Sequence, residues 1–145
     1  MTTHDALQLA LAGEHAALYV YGALGAQTSA SRSPGLYAAV EDSYQIHRSR
    51  RDHLTGLVLQ AGGTPVASEA AYEIPSRLGT PSLVARAALR LERRCAETYA
   101  WLVANTVDER RRWAIEALTD TAVRELDYRG SPEIFPGADE SADRG

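Results

Sequence analysis

The chain of 145 residues has one cysteine and no lysine, and it lacks long hydrophobic runs. A single thiol, Cys95, cannot form an intramolecular disulfide, which argues against a disulfide-stapled secreted fold and for a reducing compartment. No stretch approaches the roughly 18 consecutive apolar residues that a membrane-spanning helix needs. The first residues have neither a basic segment nor an apolar leader. The sequence therefore predicts a cytoplasmic protein without a membrane partner.

The sequence also has fewer basic residues than acidic ones. All 15 basic residues are arginines, and 19 acidic residues outnumber them, which gives a net charge of −4. This balance predicts no nucleic-acid partner. The chain has no glycine-rich phosphate loop and no Gly-x-Ser-x-Gly nucleophile elbow. No motif identifies a small-molecule ligand.

The sequence is rich in apolar residues at helical spacing, separated by short segments with glycine, proline and polar residues. This pattern predicts an all-α protein whose first three helices span 3–27, 35–61 and 82–105. A fourth helix follows a turn at 106–108 and extends to about residue 129. The connection from residue 62 to 81 is much longer than the roughly 2–8 residues usual between helices of a bundle. It predicts a crossover that travels the height of a four-helix bundle.

The length of the chain favours a single domain with its own hydrophobic core. We assign residues 1–137 to this domain, which we expect to be a ferritin-like four-helix bundle. Residues 138–145 are small and acidic, and we expect them to form a disordered tail.

Titratable residues interrupt three of the apolar stripes near mid-helix. Glu14 lies in the stripe of the first helix, Glu92 in that of the third, and Tyr44, His47 and Arg51 in that of the second. Burying a charged side chain without a partner costs several kcal/mol, so these residues should meet. The predicted stripe of the fourth helix consists of Ala114, Ile115, Leu118, Thr121, Ala122, Glu125 and Leu126.

A ferritin-like di-metal centre takes one Glu from each of two helices and a Glu-x-x-His motif from each of the other two. Glu14 and Glu92 occupy the positions of the single Glu residues. On the second helix the motif reads Tyr44-Gln45-Ile46-His47, with Tyr in place of Glu, and the fourth helix has no such motif at mid-level. The di-metal pattern is therefore only half present.

Several short motifs, spread over nearly the whole chain, carry a family resemblance. They are Glu14-His15-Ala16-Ala17 with Tyr19 and Tyr21-Gly22, His47-Arg48-x-Arg50-Arg51-Asp52, Ala61-Gly62-Gly63-x-Pro65, Ala71-Tyr72-x-x-Pro75 and Phe135-Pro136-Gly137. In these motifs the sequence resembles a bacterial family of ferritin-like proteins classed as a domain of unknown function. The resemblance implies a ferritin-like four-helix fold and no established activity.

Two interpretations of the mid-helix residues Glu14, Tyr44, His47, Arg51 and Glu92 are open. In the first they form a buried polar network without a cofactor, and Arg51 supplies the counter-charge for the carboxylates. This interpretation predicts a non-catalytic structural or interaction protein. In the second, Glu14, His47 and Glu92 hold iron or another divalent metal, because three ligands and a water are chemically adequate. That alternative predicts a metal-binding or oxidase-type protein.

The two tryptophans bear on assembly. The third helix and Trp101 and Trp113 offer more apolar surface than one bundle seam requires. Exposed aromatic side chains often mark an interface between proteins. We therefore expect a homodimer with a tryptophan near its contact.

Overall fold

A computed structural model describes residues 1–129 and contains four helices: α1 (Thr3–Ala26), α2 (Pro34–Gln60), α3 (Pro81–Ala104) and α4 (Asp108–Arg129). The prediction of an all-α, four-helix protein is confirmed, and each helix begins and ends within about one residue of its predicted bounds. The predicted domain end at residue 137 and the predicted tail at 138–145 lie outside the described residues. None of α1–α4 combines the length and hydropathy that crossing a membrane requires.

Local chemistry explains where the helices start and stop. The hydroxyl of Thr2 accepts a hydrogen bond from the amide of Asp5 at 3.1 Å, and the Asp5 carboxylate accepts one from the amide of Thr2 at 2.9 Å. This reciprocal pair caps the start of α1. Pro34 and Pro81 occupy the first positions of α2 and α3, where no amide donor is needed. Gly62 follows α2 with a φ of +78°, a backbone conformation that residues with a side chain rarely adopt.

The long connection between α2 and α3 runs along α1. The side-chain amide of Gln8 donates to the carbonyl of Thr64 at 2.7 Å, and its oxygen accepts from the amide of Val66 at 2.9 Å. Further along both segments, the ring of Tyr72 lies 5.6 Å from the ring of Tyr19. The connection therefore advances from the N-terminal part of α1 towards its C-terminal part.

The helices pack chiefly as two pairs, α1 with α2 and α3 with α4, and α1 joins the pairs by packing on α3. At one end of the bundle, the hydroxyl of Thr3 donates to the carbonyl of Asn105 at 2.6 Å. At the other end, the hydroxyl groups of Ser43 and Tyr128 lie 2.7 Å apart and link α2 to α4. The first contact joins the start of α1 to the end of α3, so these two helices are antiparallel.

The buried face of α4 agrees with the predicted stripe only in part. Ile115, expected in the core, is 47% exposed. The buried residues of α4 are instead Ala114, Ala117, Thr121, Arg124 and Glu125. Ala114, Thr121 and Glu125 were part of the predicted stripe, whereas Ala117 and Arg124 were not, and Leu118 is only partly buried.

The two tryptophans also differ from each other. Trp101 is 55% exposed. Trp113 is half-buried, with its ring 4.4 Å from the ring of His53 and 5.8 Å from that of Tyr99. Trp113 therefore belongs to the packing of the bundle, and Trp101 is the tryptophan that faces outward.

Candidate functional site

His47 lies at the centre of the bundle between two carboxylates. Its Nδ1 lies 2.5 Å from Oε2 of Glu14 on α1, and its Nε2 lies 2.9 Å from Oε1 of Glu92 on α3. All three side chains are 1% exposed or less. The structure thus brings together Glu14, His47 and Glu92, three of the residues singled out from the sequence.

Two tyrosines complete this group in a reciprocal arrangement. The Tyr21 hydroxyl donates to Glu92 at 2.6 Å, and the Tyr99 hydroxyl donates to Glu14 at 2.5 Å. On both α1 and α3 the tyrosine follows the glutamate by seven residues, which is two helical turns on the same face. Because the helices are antiparallel, each tyrosine reaches the glutamate of the other helix. We call Glu14, Tyr21, His47, Glu92 and Tyr99 the central network.

The two carboxylates keep His47 protonated. Burial alone would lower the pKa of His47, but the charges of Glu14 and Glu92 raise it to about 9. Burial would raise the pKa of Glu92, yet the charge of His47 and its hydrogen bond hold that pKa below its usual value. At neutral pH the imidazolium therefore donates through both nitrogens.

The two tyrosines keep their protons as well. Burial, reinforced by the neighbouring charge of Glu92, raises the pKa of the Tyr21 hydroxyl well above its usual value. Burial and the charge of Glu14 do the same for the pKa of Tyr99. Both hydroxyl groups are thus fixed as hydrogen-bond donors to the carboxylates.

The arginine beside the central network is Arg50, and the prediction of Arg51 is wrong. Arg50 is 6% exposed, and its Nη2 donates to the carbonyl of Ala117 at 3.0 Å and to Asp120 at 2.8 Å. Its guanidinium carbon lies 5.0 Å from the centre of the Tyr99 ring, a favourable cation–π distance. Arg51 is one-third exposed and pairs with the exposed carboxylate of its neighbour Asp52 at 2.7 Å.

Tyr44 also lies outside the central network. It is partly buried and packs against the hydrophobic core. Around α2, Tyr44 and Arg51 lie about 40–60° to one side of His47, and Ser43 and Arg50 lie equally far to the other side. Helical periodicity cannot decide which of the two sides faces α4. The structure turns Ser43 and Arg50 towards α4.

Comparison with known proteins places the chain in a family. Residues 6–140 match the family described as Domain of unknown function (DUF4439). The chain belongs to the DUF4439 family. The crystal structure of a conserved hypothetical protein from Mycobacterium tuberculosis is similar, with 31% sequence identity and a TM-score of 0.81. The match covers 88% of this chain and 95% of that one, and no curated protein matches the chain.

These comparisons confirm the predicted membership of a family classed as a domain of unknown function. Neither the description of the DUF4439 family nor that of the mycobacterial protein names an activity. The ferritin-like relation stays a prediction.

The part of α4 that faces the centre of this DUF4439 chain carries further charges. Arg124 is 6% exposed, and its guanidinium donates to Asp42 at 2.7 Å and to Asp120 at 3.2 Å. Burial would lower the pKa of Arg124, but the hydrogen bond to Asp42 and the charge of Asp120 raise it. Glu125 is fully buried, with Oε2 3.7 Å from Nη1 of Arg129. Arg124 joins α4 to α2 through its bond to Asp42.

Sequence reasoning missed Tyr21, Tyr99 and Arg50 as members of the site or its surroundings. The matching Glu-x6-Tyr spacing on the first and third helices was a readable signal for the two tyrosines. This spacing predicts contacts between each tyrosine and the glutamate of the other helix only if the two helices are antiparallel neighbours. No comparable signal distinguishes Arg50 from Arg51.

The central network can hold and share a proton. The central network is sealed from solvent and can share a proton between one imidazole and two carboxylates. Across residues 1–129, no three or more His, Cys, Asp or Glu side chains are arranged as the ligands of a metal ion.

Proposed function

We propose that this DUF4439 chain is a ferritin-like bundle with a non-catalytic structural or interaction role. In this proposal the central network and Arg50 replace the di-metal site, and the connection along α1 is the crossover of the ferritin-like topology. Support for the topology comes from the contacts of Gln8 and Tyr19 with that connection. Support for the replacement comes from the mid-bundle positions of Glu14 and Glu92.

The observation that carries the proposal is that both nitrogens of His47 face carboxylates. An imidazole that binds a metal must offer a nitrogen lone pair, while its other nitrogen donates to an outer partner. A ring with a pKa of about 9 is protonated on both nitrogens at neutral pH. A metal would have to displace both a proton and a carboxylate contact of His47, so these residues as arranged do not fit a metal pair.

Charge balance supports the same proposal. Glu14 and Glu92 bring two negative charges to the centre, and both contact the positive charge of His47. The charge of Arg50 also acts on both carboxylates, although Arg50 forms its ion pair with Asp120 of α4. In a metal site the metal pair would supply this positive charge, which side chains of α2 supply here.

The proposal includes self-association and a cytoplasmic location. A homodimer is supported by the outward-facing Trp101, because aromatic residues are enriched at interfaces. The cytoplasmic assignment and the lack of a nucleic-acid partner are supported by the buried, reduced Cys95 and the net charge of −4.

Thermal unfolding with and without metals tests the proposal. Protein purified without chelator and without nickel affinity would be heated with ferrous iron, manganese or zinc. We expect no metal-dependent rise in Tm for the wild type, because a ligand raises Tm only when it binds the folded state. His53→Ala serves as a control for metal binding by an exposed imidazole on α2.

A rise of several degrees in the wild type and in His53→Ala that disappears in His47→Ala would contradict the proposal. It would favour the alternative, a metal-binding or oxidase-type protein that uses Glu14, His47 and Glu92.

A further inference from the structure

A groove of about 410 Å³ lies between the α2–α3 connection and α3, away from the central network. Five of its lining residues belong to the connection and two to α3. They are Glu73, Ile74, Pro75, Ser76 and Arg77, followed by Arg90 and Arg94.

The three arginines of this groove differ from the other arginines described so far. Arg50, Arg51 and Arg124 each pair with a carboxylate. The guanidinium groups of Arg77, Arg90 and Arg94 form no ion pair and no hydrogen bond within residues 1–129. Glu73 lines the same groove, but no ion pair joins it to the three guanidinium groups.

Within residues 1–129, the lining of the groove therefore has an excess of positive charge. Three arginines against one glutamate leave its lining at +2, while the whole chain carries −4. Arg90 and Arg94 are four residues apart on α3, where side chains of like charge repel each other. An anion placed between them would remove this repulsion.

We propose that this groove binds a small soluble anion that carries phosphate groups, such as a diphosphate or a phosphate ester. A guanidinium group can donate two parallel hydrogen bonds to one phosphate, and arginine is favoured at such sites for that reason. The Ser76 hydroxyl supplies a further donor, and Ile74 and Pro75 provide an apolar wall for an organic group. The volume falls in the range of about 300–1,000 Å³ of small-molecule sites.

Isothermal titration of the full chain with pyrophosphate, in a phosphate-free buffer of low ionic strength, tests this site. We expect saturable binding of one pyrophosphate per chain. Arg90→Gln and Arg94→Gln should each raise Kd by about tenfold or more, because each removes charge-assisted hydrogen bonds. Arg48→Gln removes an exposed arginine of α2 that lies outside the groove, and it should leave Kd unchanged.

Two further measurements separate this ligand class from others. Orthophosphate should bind more weakly than pyrophosphate, because it reaches fewer of the three arginines. The protein should not sediment together with vesicles of phosphatidylglycerol, because we expect the groove to bind a small soluble anion and not a lipid surface. Circular dichroism would establish that each variant is folded.

The proposal is wrong if pyrophosphate shows no saturable binding to the wild type. It is equally wrong if Arg48→Gln weakens binding as much as Arg90→Gln does, since that result indicates a general charge effect. Binding to vesicles in preference to pyrophosphate would assign the arginines to a membrane surface and would also overturn it.

Discussion

His47 is fully buried and still holds a proton, because Glu14 and Glu92 accept its two N–H groups. Removing any one member leaves the others with a charge or a hydrogen bond that has no partner, and uncompensated buried charges are among the most costly defects in a protein. At the scale of single residues, the stability of the bundle should therefore depend on the central network and on Arg50.

The first prediction concerns pH. The pKa of His47 rises from 6.5 to about 9 on folding, so the folded state binds this proton more tightly than the unfolded state. Its contribution to stability is complete below pH 6.5 and is lost as pH rises through about 9. The corresponding free energy is on the order of 3 kcal/mol.

Urea unfolding at several pH values between 6.5 and 9 would measure this loss. His47→Gln should be less stable than the wild type and should show a much flatter dependence of the unfolding free energy on pH. A wild-type stability that stays constant over this range would contradict the assignment of a buried imidazolium.

The second prediction compares neighbouring arginines. Arg50→Met removes a buried cation that lies over Tyr99 and bonds the Ala117 carbonyl, so we expect a loss of about 3–5 kcal/mol in unfolding free energy. Arg51→Met removes a partly exposed cation paired with exposed Asp52, and it should cost less than about 1 kcal/mol. Chemical denaturation of the two variants measures both values, and similar losses would show that Arg50 has no special role.

Only part of this site could be predicted from the sequence. The mid-helix positions of Glu14, His47 and Glu92 follow from periodicity, because charged residues stand out in apolar stripes. The choice between Arg50 and Arg51 does not follow, since both lie close to the edge of the same stripe. It depends on which side of α2 faces α4, and that is decided by contacts between helices.

At the scale of elements, glycine, proline and polar turns made the helix bounds predictable. The buried face of α4 was predictable only in part, because periodicity places Ala114, Thr121 and Glu125 inward but does not explain why Arg124 is buried and Ile115 points outward. The connection between α2 and α3 has no regular hydrogen-bonded structure, so side chains of α1 must hold it.

Gln8 makes the most specific of these contacts. Its side chain offers the connection one donor and one acceptor, at Thr64 and Val66. In Gln8→Ala the amide of Val66 loses its partner, and one such hydrogen bond is worth about 1 kcal/mol. We predict that hydrogen exchange at the Val66 amide becomes roughly fivefold faster.

Exchange followed by NMR measures this change at the single amide. Gln45→Ala is the matched control, because Gln45 is an exposed glutamine on α2 whose side chain forms no hydrogen bond within residues 1–129. An unchanged exchange rate in Gln8→Ala would show that the connection is held by other contacts.

At the scale of the whole molecule, the prediction concerns assembly. Trp101 is 55% exposed, and an aromatic residue of this size can dominate an interface. Sedimentation analysis should give twice the chain mass of 15.7 kDa, and Trp101→Ala should shift the protein towards the monomer. Leu59→Ala, which also shortens an exposed apolar side chain, should leave the dimer intact. A wild type that remains monomeric at high concentration would refute the homodimer.

The proposed replacement of a ferritin-like metal site requires a buried imidazolium held by two carboxylates. Nitrogen NMR of protein labelled at histidine reports the protonation of each ring nitrogen of His47 directly, with His47→Gln to assign the signals. We predict that both nitrogens are protonated at neutral pH, with a titration midpoint of about 9, and that zinc, as a diamagnetic probe, leaves them unchanged. A ring with one unprotonated nitrogen at neutral pH, or one whose signal moves on binding zinc, would contradict this account.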